Sequence, residues 1–129
     1  MKIGFVQFAP ALDDVESTIH KIDRLISLGG VADVWVLPEL CNSGYNFGSR
    51  EQAWETSEEV IGSVFIQYLE SICAQHNFCV VSGFNERDGG NLYNSAVLVG
   101  PGGYIGKYRK FHLLYLFSVW PPSGLYDKQ

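Results

Sequence analysis

The chain has few cysteines, few cations and no long apolar run, and each shortage excludes something. Its three cysteines, Cys41, Cys73 and Cys79, are an odd set with no CxxC pair. A disulfide framework and a structural zinc site are therefore not expected, and a reducing, cytoplasmic setting is the simplest compartment. Nine basic residues against fourteen acidic ones leave a formal charge of −5. That excludes phosphate-backbone binding as the main task, so no nucleic-acid partner is expected. No apolar stretch approaches the ~20 residues that a membrane-spanning helix needs. The opening strand-like run is too short for a signal peptide and soon meets Pro10. What remains is a soluble globular chain of 129 residues, rich in aromatics, with the length of one domain.

Hydrophobic spacing predicts an alternation of strands and helices. Residues 2–9 read as a buried strand carrying Ile3, Phe5, Val6 and Phe8. Asp13 or Asp14 is suited to cap a helix whose apolar face is Val15, Ile19, Ile22 and Ile26, and Gly29-Gly30 would end it. Residues 33–37 form the second strand, and the strand–helix–strand order implies a parallel pair with a right-handed crossover. A loop at 41–50 precedes a second helix, expected over 61–76 with Ile61, Val64, Phe65, Tyr68, Leu69 and Ile72 buried. Strands at 78–84 and 92–99 flank a turn cluster, making an antiparallel hairpin, and a further Gly-Pro-Gly-Gly turn leads into 104–108. The fold class is α/β, of the α+β sandwich type: a mixed sheet with helices on one face. Val34, Val36, Val80, Ala96 and Leu98 cannot all face two helices, so another layer is required.

Two motifs end strands with charged groups. Leu37-Pro38-Glu39-Leu40 offers a carboxylate, and Lys107-Tyr108-Arg109-Lys110-Phe111-His112-Leu113 offers an ammonium. Sites of open α/β sheets gather at such strand ends. A partly desolvated Glu39 would have a raised pKa and serve as a base, and Lys110 would face negative charge developing on a carbonyl oxygen. By residue type alone, Glu39 also fits a surface loop residue and Lys110 the solvated basic end of a hairpin, the commoner role of each type. His112 fits either a titrating group or a structural hydrogen-bonding one.

Taken in order, these motifs resemble the carbon–nitrogen hydrolase (nitrilase/amidase) superfamily. The likeness includes Gln7 and Pro10, Ser43-Gly44-Tyr45 and Tyr93-Asn94-Ser95-Ala96, and it covers residues 2–113. The resemblance implies about half of an αββα sandwich that dimerises into a longer layered assembly. It also implies cleavage of non-peptide C–N bonds in small amide, N-carbamoyl or nitrile substrates, amides and carbamoyl compounds foremost, without cofactor or metal. In such enzymes a cysteine attacks, a glutamate takes its proton and a lysine steadies the tetrahedral intermediate. By resemblance Glu39 is the general base, Lys110 the intermediate-stabilising cation and Tyr45 a substrate-binding residue.

The departures matter as much. The family's cysteine lies well beyond its lysine motif, and none of the three cysteines here has that context. Cys41, two residues past Glu39, could point the same way along an extended segment, or be a buried, inert thiol. A further family glutamate expected soon after the lysine motif is missing from 114–122. The expectation is therefore residues 1–113 as the N-terminal part of the hydrolase domain, 114–129 as a divergent tail, and a chain truncated before its nucleophile and inactive alone. The uncovered sheet face implies a homo-oligomer, or a non-catalytic interaction module that pairs with a full-length relative.

Overall fold

The computed structural model describes residues 1–111. His112 and the expected tail at 114–129 lie outside the described residues. The elements follow in the order β1 (Ile3–Phe5), α1 (Val15–Gly29), β2 (Val34–Val36), α2 (Arg50–Glu55), α3 (Val64–His76), β3 (Cys79–Asp88), β4 (Asn91–Gly100) and β5 (Gly103–Arg109). The five strands form one mixed sheet in sequence order. β1, β2 and β3 run parallel, with Ile3 opposite Val34 and Val34 opposite Cys79. β3, β4 and β5 are antiparallel, with Phe84 opposite Ser95 and Ser95 opposite Arg109. Both parallel crossovers advance the same way across the sheet, so right-handed connections bring α1 and α3 to one face. Their mutual packing is marked by the Tyr68 hydroxyl donating to Asp23 Oδ1 at 2.8 Å.

Local chemistry sets the helix ends. Asp14 is the N-cap of α1, its Oδ1 accepting from Ser17 N at 2.9 Å, while Asp13 takes a positive φ of 55° in the turn before it. Gly30 ends the helix at φ 83°. Helix α3 starts later than the spacing suggests. Gly62 takes φ +84° and Ser63 caps Ile66 N at 3.0 Å, which leaves Ile61 and Val64 exposed. The buried stripe is instead Phe65, Ile66, Leu69, Ile72 and Cys73. Helix α2 was not expected. Ser49 caps it, and Ala53 packs with Leu40 and Leu92 beside the far end of the β3–β4 hairpin.

The main core lies between the sheet and the α1–α3 layer, where Ile22, Phe65, Leu69 and Cys73 meet Trp35, Leu37, Val80, Phe84, Val97 and Val99. Each fully buried large side chain of this kind contributes about 1.5–3 kcal/mol. The opposite face corrects one expectation. Strand β1 is short, and Ile3 and Phe5 are not buried: they are 63% and 75% exposed. Strand parity aligns them with Val34, Val36, Val81, Ala96, Leu98 and Tyr108 on the face without long helices. Tyr108 is 68% exposed there. Among the described residues, this face therefore keeps apolar surface exposed at Ile3, Phe5 and Tyr108. Among the described residues, no helix is long and apolar enough to cross a membrane.

Candidate active site

Glu39 is positioned by the way β2 ends. The last ladder bond is Leu37 N to Val81 O at 2.9 Å, and Pro38 has no N–H with which to continue. The chain then rides over β3. Gly83 N donates to Pro38 O at 3.0 Å, and Cys41 N donates to Gly83 O at 3.1 Å. Only a glycine allows this approach: a Cβ on Gly83 would lie 2.5 Å from both Leu40 N and Pro38 O. Leu40 adopts φ 48°, turning the chain sharply between Glu39 and Cys41. Beyond the turn, Asn42 ties the loop down, its Oδ1 accepting from Asn85 N at 2.7 Å and its Nδ2 donating to Glu58 at 3.1 Å.

Lys110 arrives from the other direction. Its backbone N donates to Asn94 O at 2.8 Å, one step beyond the end of β5. Alternation puts Asn94 and Lys110 on the open face, whereas Ser95 and Arg109 point to the helix face. Glu39 Oε1 accepts from Lys110 Nζ at 2.8 Å and from Asn94 Nδ2 at 2.6 Å. Among the described residues, Oε2 accepts no hydrogen bond. The two charged side chains are 38% and 42% exposed, so as an ion pair they add only about 0–1 kcal/mol. Their importance is geometric: residues 71 apart in sequence meet on one sheet face.

The electrostatics differ from the expectation of a raised pKa. Burial does push the Glu39 carboxyl up, but the Lys110 ammonium and the Asn94 amide outweigh it and hold the group below its ordinary value. Glu39 is therefore a carboxylate at neutral pH, already in the proton-accepting form. Cys41 lies elsewhere. The left-handed turn at Leu40 breaks the two-residue alternation, and Cys41 is fully buried in the core beneath the helices. Burial pushes its thiol up to about 12, so it is not a thiolate near neutrality. Cys73 is likewise buried, its thiol raised to about 12, first by burial. Tyr45 sits in the loop beyond Gly44, 40% exposed. Asn94 is the contact missed in the sequence; a polar residue within an apolar strand was its signal.

Among the described residues, no group of three or more His, Cys, Asp or Glu side chains is arranged to hold a metal ion. A cavity of about 220 Å³ lined by Asp23, Trp35 and His76 opens between α1 and α3. It lies at the other end of the parallel strands, away from Glu39.

Known proteins resemble this chain over most of its length. The family model described as carbon-nitrogen hydrolase matches residues 2–128. A nitrilase from Pyrococcus abyssi is 38% identical over 117 residues, covering 89% of this chain and 45% of that protein. A protein N-terminal amidase from Schizosaccharomyces pombe is 30% identical, covering 96% of this chain and 47% of its own length. The crystal structure of an N-terminal amidase with an Asn-Glu-Ala peptide superposes with a TM-score of 0.83 at 26% identity, over 93% of this chain and 30% of that one. The chain thus spans less than half the length of these relatives. With the five-stranded half-sandwich and the ordered motifs alike, the match over nearly all of its residues means that the chain belongs to the carbon–nitrogen hydrolase family.

Proposed function

We propose that this chain supplies the glutamate and lysine of a carbon–nitrogen hydrolase site acting on amides or N-carbamoyl compounds, with the nucleophilic cysteine coming from outside these residues. The observation that carries the reading is the 2.8 Å contact between Lys110 Nζ and Glu39 Oε1 on the open sheet face. With Oε1 engaged by two donors, Oε2 is the atom placed to take a proton. A thiol entering beside it would lose its proton to Oε2 as sulfur bonds to the substrate carbon. Lys110 would stabilise the negative charge left on the former carbonyl oxygen. Collapse would expel the amine, which takes the proton back from Glu39. Water, deprotonated by the same carboxylate, would then cleave the thioester to the acid and free thiol. Tyr45, exposed in the adjoining loop, is the candidate substrate contact in this scheme.

No cysteine of this chain fits the first step. Cys41 and Cys73 are buried, and Cys79 starts β3, at the opposite end of that strand from the hairpin. The 129 residues by themselves are therefore expected to turn over no amide, carbamoyl amino acid or nitrile. A chimera that adds the unmatched segment of the Pyrococcus abyssi nitrilase is the test. Glu39→Gln should lower its turnover by about 10²–10⁴-fold, the usual range for a general acid–base group. Cys41→Ala should leave turnover unchanged; if that substitution abolished it, the assignment would be wrong.

A second reading follows from the uncovered face carrying Ile3, Phe5 and Tyr108. Exposed apolar surface of this kind marks association. In that reading the chain is a non-catalytic module that pairs through this face with a copy of itself or with a full-length relative. Co-purification with a full-length relative, lost in a Phe5→Glu variant, supports it; failure to form any complex argues against it.

A further inference from the structure

The site described above uses only one side of strands β4 and β5. The other side of the same residues carries a second carboxylate cluster. Glu86 projects from β3 towards the helix face with its side chain 1% exposed. It accepts from Lys107 Nζ, from Ser95 Oγ at 2.5 Å, and from Arg109 through both Nε at 3.2 Å and Nη2 at 2.6 Å. Arg109 is further fixed by Asp88 at 2.6 Å and by the Tyr93 ring, 3.6 Å from the guanidinium carbon. A carboxylate removed from water is costly unless it is paired and hydrogen-bonded, and here the pairing is complete.

The arrangement is back to back. Asn94 and Ser95 are neighbours on β4, pointing to opposite faces; Arg109 and Lys110 are neighbours at the end of β5, doing the same. Asn94 and Lys110 hold Glu39 on the open face, while Ser95 and Arg109 hold Glu86 on the helix face. Lys110 lies just past the last paired residue of an edge strand. Without an anchor, such a strand end frays.

We infer that Glu86 is a positioning residue for the Glu39–Lys110 pair, fixing Ser95 and Arg109 from behind the sheet so that their neighbours Asn94 and Lys110 converge on Glu39. This rests on the proposed role of that pair. Its readout is local geometry rather than turnover, so lack of hydrolase activity would not be mistaken for lack of positioning.

The test is the native-state titration of the Glu39 side-chain carboxyl, followed by carbon-13 NMR in the full chain and in Glu86→Gln and Arg109→Lys variants. The two physical possibilities move it in opposite directions. If Glu86 positions the pair, Glu86→Gln releases β5, Lys110 and Asn94 withdraw, and the Glu39 midpoint moves up. If Glu86 acts only as a charge through space, its neutralisation lowers the midpoint. A residue that merely adds stability would leave the midpoint in place and change only the unfolding transition. Arg109→Lys keeps the charge but loses the two-pronged contact and the stacking on Tyr93, so it should also shift Glu39 upward. It carries the test should Glu86→Gln not fold. Hydrogen exchange at Lys110 N–H should quicken in either variant while α1 amides keep their protection. An unchanged or lowered Glu39 midpoint in folded protein overturns the inference.

Discussion

Replacing Gly83 by alanine tests how Glu39 is placed. The new methyl group would sit 2.5 Å from Leu40 N and from Pro38 O, both backbone atoms that cannot swing aside as a side chain would. Restoring ordinary contact requires the 38–41 segment to lift by about 1 Å or more. That displacement breaks two hydrogen bonds now at 3.0 and 3.1 Å, Gly83 N to Pro38 O and Cys41 N to Gly83 O. Each is worth about 0.5–1.5 kcal/mol, and overpacking adds about 1–3 kcal/mol. The reduced freedom of the unfolded chain offsets only about 0.4–1 kcal/mol. The net expectation is a loss of roughly 1–6 kcal/mol. At about 1–3 kcal/mol per molar urea, the unfolding midpoint should fall on the order of 1–2 M. Gly90→Ala is the control, since nothing lies within 4 Å of its added Cβ. The reasoning fails if Gly83→Ala and Gly90→Ala unfold at the same urea concentration as the parent chain.

Three further outcomes are expected. The carboxyls of Glu39 and Glu86 are both held below the ordinary 4.5: burial raises each, but Lys110 and Asn94 outweigh it at Glu39, and Arg109, Lys107 and Ser95 do so at Glu86. A depressed folded-state pKa contributes stability that is present above 4.5 and lost as pH falls through the folded value. Urea midpoints should therefore drop more between pH 6 and pH 3 in the parent chain than in Glu86→Gln; equal slopes would refute the linkage. Cys41 and Cys73, with thiols raised to about 12, should resist iodoacetamide in the native protein at neutral pH and react once urea unfolds it. Rapid native labelling of Cys41 would contradict its burial. Light scattering should show association through the open face, weakened by Phe5→Glu or Tyr108→Glu; a parent chain that stays monomeric at high concentration would count against it.

The open face and the start of α3 show why some features were legible in sequence and others were not. Hydrophobic period and turn residues carry element type, so α1, the parallel pair and the antiparallel hairpin were readable from local spacing alone. Burial is a property of layers. Ile3 and Phe5 have strand chemistry, but only the completed sheet shows that nothing among the described residues covers them. Ile61 fits the helical period of α3, but Gly62 at φ +84° and the Ser63 cap begin the helix after it. Helix α2 is short, and much of its support comes from tertiary contacts with Leu40 and Leu92, which no local pattern contains.

By itself the sequence determined the family, the mixed α/β architecture and the identity of two charged residues at strand ends. Motif order and residue type are linear properties, and they suffice for that. The tertiary structure decided which groups meet. The Gly83 crossing brings Glu39 out onto the open face, and β-strand parity sends Lys110 and Asn94 to it while Arg109 and Ser95 go to Glu86 behind. It also decided that Glu39 is held ionised rather than raised, because the balance between burial and a cation 2.8 Å away exists only once the strands are paired. The fate of Cys41 turned on one backbone angle: at φ 48°, Leu40 sends the thiol into the core instead of towards the carboxylate.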